Sequence, residues 1–83
     1  MEHYVMIARS VTYAQQMQSV LSAGGVRSQM FRAPRELSDR GCSYAVRVPE
    51  NQIALALTAL RNARLAPVKI YLTQNNKYRE AAL

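Results

Sequence analysis

Two stretches of helical period, Val11 to Gly24 and Pro49 to Arg64, are each bracketed by short runs of strand-forming residues, and that alternation narrows the fold more than any other feature. The first run, His3-Tyr4-Val5-Met6-Ile7-Ala8, is almost continuously apolar, the pattern of a strand buried on both faces and central in its sheet. Ser10 is placed to cap the helix that follows. Within it Tyr13, Ala14, Met17, Val20 and Leu21 recur at spacings of three and four, and Gly24-Gly25 stops it. A mixed second strand over 27–33 has the composition of a sheet edge and stops at Pro34. A third strand spans 43–48, with Tyr44, Val46 and Val48 on one face. Pro49 and Glu50 suit the start of a second helix, whose core stripe is Ile53, Ala56, Leu57, Leu60 and Ala63. Leu55 and Ala59 fall on its outer side. Val68 to Leu72 alternates as a fourth strand.

Strand, helix, strand, strand, helix, strand predicts an α+β, ferredoxin-like domain (βαββαβ). Its four-stranded antiparallel sheet runs in the order 4-1-3-2 with both helices on one face. The domain is expected to occupy residues 1–73, and 74–83 to form a polar C-terminal tail that ends in a turn or two of helix. Val5, Ile7, Val46, Ile70 and Leu57 are expected in one core. Tyr4, Met6, Ala45 and Tyr71 are expected on the sheet face away from the helices.

At 83 residues the chain supports one thin core. No apolar run reaches the roughly 18 residues of a membrane span, and the first twenty residues lack the uninterrupted apolar stretch of a signal peptide. A cytoplasmic protein is expected. One cysteine and one histidine exclude an internal disulfide and argue against a protein-built metal site. No cofactor is expected. Eleven Lys plus Arg against five Asp plus Glu give a net charge of +6, which favours an anionic partner.

Sheet topology suggests where the chemistry lies. A third strand antiparallel to the first begins where the first ends, so Cys42 falls near Arg9, Ser10 and the start of the first helix. The 34–41 loop, with Arg35 and Arg40, reaches the same rim. Cations and a helix N-terminus lower a thiol's pKa and raise its reactivity. The alternative is a small apolar side chain packed at a strand start.

Pro34-Arg35-Glu36-Leu37-Ser38, then Gly41-Cys42 and Tyr44-Ala45, together with Arg9-Ser10-Val11 and Gly24-Gly25-Val26, resemble the signature of the putative selenium/sulfur carrier protein-like family. The likeness covers residues 4 to about 72. It implies a carrier of sulfur or selenium, with Cys42 as the persulfide or perselenide acceptor and Pro34, Arg35, Ser38 and Gly41 as further motif positions. Ser43 stands where the family often has glycine. On this reading Arg9, Ser10, Arg35 and Arg40 stabilise the thiolate or a bound anion, and the basic surface docks donor and acceptor proteins with acidic surfaces.

Two rivals remain at the level of sequence. Arg40 to Arg47 begins like the octapeptide of an RNA-recognition motif, but Cys42 and Arg47 replace its aromatics. Tyr4, Tyr71, Lys69 and Arg47 could still form a basic, aromatic face for nucleic acid. A homodimerising protein-interaction module without chemistry would use the same face. An enzyme is not expected: no glycine-rich phosphate loop is present, and His3 belongs at the opposite end of the sheet from Cys42.

Overall fold

A computed structural model describes residues 2–37 and 44–81. The elements are β1 (His3–Ala8), α1 (Val11–Ala23), β2 (Gln29–Arg32), a 3-10 turn (Arg35–Leu37), β3 (Tyr44–Pro49), a second 3-10 turn (Glu50–Gln52), α2 (Ile53–Asn62), β4 (Lys69–Gln74) and β5 (Lys77–Glu80). Ser38, Arg40, Gly41, Cys42 and Ser43 lie outside the described residues.

Local chemistry sets the helix ends. Ser10 is the N-cap of α1, its Oγ accepting from the Tyr13 amide at 3.1 Å. At the other end Gly25 sits at φ 81°. Its N–H bonds the Ser22 carbonyl at 3.1 Å, and the Val26 N–H bonds that of Leu21 at 2.8 Å. These two bonds make a Schellman motif, which satisfies carbonyls that a helix end otherwise leaves without partners. α2 closes the same way, with Arg64 N–H on Arg61 and Leu65 N–H on Leu60 at 3.0 and 2.9 Å. The second helix does not begin directly after Pro49: residues 50–52 wind as a 3-10 turn and α2 follows.

Among the described residues, five strands form one antiparallel sheet in the order β2-β3-β1-β4-β5. The expected four-stranded sheet is therefore corrected. The four anticipated strands keep the order 4-1-3-2, and β5 adds outside β4. Asn75 and Asn76 take φ 49° and 64°, so a two-residue turn with both centres left-handed folds β5 back onto β4. A strand thus stands within the segment expected to be a polar tail ending in helix.

Residues directly opposite in a ladder share a face. Met6 lies opposite Val46 and Ile70, while Val5 lies opposite Arg47 and Tyr71. Met6 and Ala8 therefore join Val46, Val48 and Ile70 beneath Ala14, Met17 and Leu21 of α1 and Ala56 and Leu60 of α2. Tyr4 and Leu57 pack at the margin of this cluster. Val5 and Ile7 belong to a second cluster on the opposite face, with Ala33, Leu37 and Ala45.

The expected single core of Val5, Ile7, Val46, Ile70 and Leu57 is corrected accordingly, and so is the placing of Tyr4 and Met6 away from the helices. β1 is apolar on both faces, so alternation gives it no phase. Ala59, expected on the outer side of α2, instead packs against the helix-side cluster, and a Cβ at Gly24 would stand 3.3 Å from its own. Leu55 does face out, 49% exposed.

Candidate functional site

Three connections meet at the rim where β3 begins. Tyr44, two residues after Cys42, pairs with Ala8 at the end of β1 and with Arg32 at the end of β2. The Val68 N–H donates to the Ile7 carbonyl at 2.7 Å, which brings the α2–β4 link to the same rim.

The helix side of this rim carries Arg9 and Ser10. The Ser10 hydroxyl takes one of the four N–H groups that a helix start leaves without intrahelical partners. Arg9 is exposed, with its guanidinium carbon 4.8 Å from the centre of the Tyr13 ring, a cation–π distance. The Tyr13 hydroxyl in turn accepts from the Ala66 N–H at 2.7 Å. One tyrosine therefore holds Arg9 at the rim and ties α1 to the link before β4.

Pro34 and Arg35 approach from the opposite face of the sheet. Ala33 and Leu37, each 7% exposed, pack on Val5, Ile7 and Ala45, and the Leu37 N–H closes the short turn onto the Pro34 carbonyl at 3.0 Å. Arg35 projects as an exposed residue from this anchored turn. Apolar burial fixes the segment, since a leucine with its side chain removed from water contributes about 2 kcal/mol. The anchoring role of Leu37 was missed at the level of sequence. Its signal was a lone leucine in a polar loop, facing a sheet surface that β1 leaves apolar.

Arg9, Ser10, Pro34 and Arg35 thus stand on elements that converge where β3 begins, the first two from the helix side and the last two from the other face. Ser38, Arg40, Gly41 and Cys42 lie outside the described residues. His3 pairs with Pro49 and Thr73, five positions along β1 from Ala8 and hence about 17 Å from it. The opposite rim also holds Glu2 and Glu50, whose carboxyls meet. Glu50 is held above its ordinary pKa of 4.5, first by a side-chain hydrogen bond with Glu2 and then by that group's like charge. Gln74 Nε2 donates to both Glu2 carboxylate oxygens at 3.3 Å.

The face away from the helices carries Phe31, Tyr71 and Tyr78 around the second cluster, with Arg47 and Lys69 in the same phase of the ladder. Tyr4 is not part of it. Part of the face is covered, because Ala33 and Leu37 occupy its centre, so the aromatic platform a nucleic-acid binder needs is interrupted. Among the described residues, no group of three or more His, Cys, Asp or Glu side chains is placed to hold a metal ion, and no helix is long and apolar enough to cross a membrane.

No curated protein matches the chain. Residues 3–72, from the start of β1 to within β4, match the family described as Putative Se/S carrier protein-like. That span takes in both helices, the first three strands, the Pro34–Tyr44 segment and most of β4, and stops short of β5. The chain belongs to the putative Se/S carrier protein-like family.

Proposed function

We propose that the protein carries a sulfur or selenium atom on Cys42 between larger enzymes, without completing a reaction of its own. Family membership across residues 3–72, a span that includes Cys42, carries this reading. The described surroundings support it. Cys42 is joined through one residue to Tyr44 at the rim, and two residues of chain span at most about 7 Å. Arg9, Arg35 and the capped start of α1 supply cationic and N–H groups there of the kind that favour thiolate over thiol. Arg40 stands two positions before Cys42 in the sequence and adds a further cation.

In the loading step the Cys42 thiolate attacks the terminal sulfur of a donor persulfide. A new S–S bond forms on Cys42, the donor's S–S bond breaks, and the donor sulfur leaves as thiolate with the electron pair. A perselenide donor transfers selenium in the same way. Unloading repeats the exchange with an acceptor nucleophile, so no external oxidant or reductant is needed. The test is to incubate the reduced protein with glutathione persulfide and weigh the Cys42 peptide. A gain of about 32 Da, absent in Cys42→Ser and passed on to a second thiol, supports the reading. No gain, or a gain that is never handed on, sinks it.

A further inference from the structure

We infer that the β2 edge is a docking groove for an extended, acidic segment of a partner protein, which binds there as an additional strand. The inference stands whether or not Cys42 carries a chalcogen.

Among the described residues β2 is an outer strand of the sheet, paired on one side with β3. Two adjoining hollows, of about 1120 and 440 Å³, lie against it and share Gln18, Gln29 and Arg47. Their walls come from both faces of the sheet. Gln15, Gln18 and Ser22 belong to α1, on the helix side, whereas Gln29 and Arg47 face the other way. The larger hollow also reaches His3 and Pro49 at the strand ends, so it wraps the start of β2 from one face to the other, beside the line where a further strand's backbone would run. Edge strands present unpaired N–H and C=O groups that an extended peptide can satisfy, and the flanking side chains then select it.

Charge selects the occupant. Among the described residues, no Asp or Glu lines either hollow. Arg27 and Arg32 are exposed on the β2 segment, and Arg47 is held beside Gln29 by a hydrogen bond from its Nη2 to the Gln29 Oε1. Gln18 Nε2 donates to the Ser28 carbonyl at 3.5 Å, so α1 is fastened alongside the strand and keeps the groove's wall in place. A second copy fits poorly: antiparallel self-pairing of β2 with Gln29 opposite Met30 sets Arg27 opposite Arg32, and like charges directly opposite destabilise a ladder. An acidic segment meets cations along the same length. The β5 edge is less suited, because Glu80 stands there in an ion pair with Lys69 at 3.9 Å.

The experiment uses NMR amide shifts of the full chain with a short synthetic peptide alternating glutamate and valine. The expected result is saturable shifts over Arg27–Arg32 and the facing side of α1, weakened by added salt. An N-methylated version of the peptide, which lacks half its N–H donors, should bind about tenfold or more weakly. So should the intact peptide with the doubly substituted Arg27→Glu, Arg47→Glu protein, whose own spectrum reports whether it is folded. Should that variant unfold, the N-methylated peptide still decides the question. The proposal is overturned by shifts that map elsewhere, by N-methylated peptide binding as well as the parent, by an alternating lysine–valine peptide binding equally, by oligouridylate occupying the same edge more tightly, or by a concentration-dependent dimer formed through β2.

Discussion

Arg64 holds at the end of α2 the left-handed position that Gly25 holds at the end of α1. Their φ angles are 60° and 81°, and the two amide bonds that close each helix are the same pair. Glycine accepts this conformation without strain, whereas a residue with a Cβ bears a cost of about 1 kcal/mol. Arg64→Gly is therefore expected to stabilise the fold by about 0.5–1 kcal/mol, and Gly25→Ala to destabilise it by a similar amount. Urea denaturation of both variants measures this. Equal midpoints for wild type and Arg64→Gly would show that the arginine side chain offsets the strain.

Core truncations should separate two leucines three residues apart on α2. Leu60 is 1% exposed and central in the helix-side cluster, while Leu57 is only partly buried at its margin. Leu60→Ala should cost about 2–5 kcal/mol, and Leu57→Ala less than about 2 kcal/mol. The reverse order in chemical denaturation would mean that α2 is rotated on the sheet.

Stability should depend on pH through Glu50. Its pKa is raised in the fold, so the folded chain binds that proton more tightly than the unfolded one. The resulting stabilisation is complete below the ordinary carboxylate range and is lost as pH rises through the raised value. Above it, the Glu2 and Glu50 carboxylates repel each other. Glu50→Gln should flatten the curve of Tm against pH across that window and raise Tm at neutral pH. An unchanged slope would dismiss the pair as a determinant of stability.

The carrier reading predicts a Cys42 thiol that ionises below the usual range of a free thiol. Alkylation rate against pH reports this, since only thiolate reacts appreciably. Arg35→Ala and Arg9→Ala should each move the midpoint upward. Leu37→Ala should do so as well, because it removes the buried anchor of the turn that carries Arg35. A midpoint at or above that of a free thiol, unmoved by all three, would leave Cys42 without activation.

Helix ends were the most legible part of the chain. Ser10 and the Gly24-Gly25 pair each impose a local conformation that tertiary packing did not need to override, whereas Pro49 opens a 3-10 turn and α2 starts only at Ile53. The faces of β1 were not legible, because Tyr4 to Ala8 is apolar at every position and only the pairing with β3 and β4 shows which side meets the helices. β5 escaped notice for the opposite reason: Lys77, Arg79 and Glu80 are exposed, so the strand carries no strong apolar alternation. Its signal was the Asn75-Asn76 turn behind an alternating strand. At the rim, the topology placed Arg9, Ser10 and Arg35 beside the start of β3. It did not show that Arg9, which precedes the Ser10 cap, would turn back over Tyr13 in the first turn of α1.

β1 is buried on both sides, which leaves its alignment in the sheet to steric fit. A slip of one position along β3 and β4 would turn Val5 and Ile7 toward the helices in place of Met6 and Ala8, exchanging apolar for apolar. Hydrophobicity alone does not reject that slip, as it would for a strand with one wet face. Rejection falls to the size of Met6 among its neighbours and to the small room left for Ala8. Met6→Val would blur that distinction and is expected to slow refolding more than its loss of stability explains. Both ladders of β1 join segments tens of residues apart in sequence, so closing those long loops slows folding, and a misaligned β1 is the competing state that Met6→Val is expected to populate.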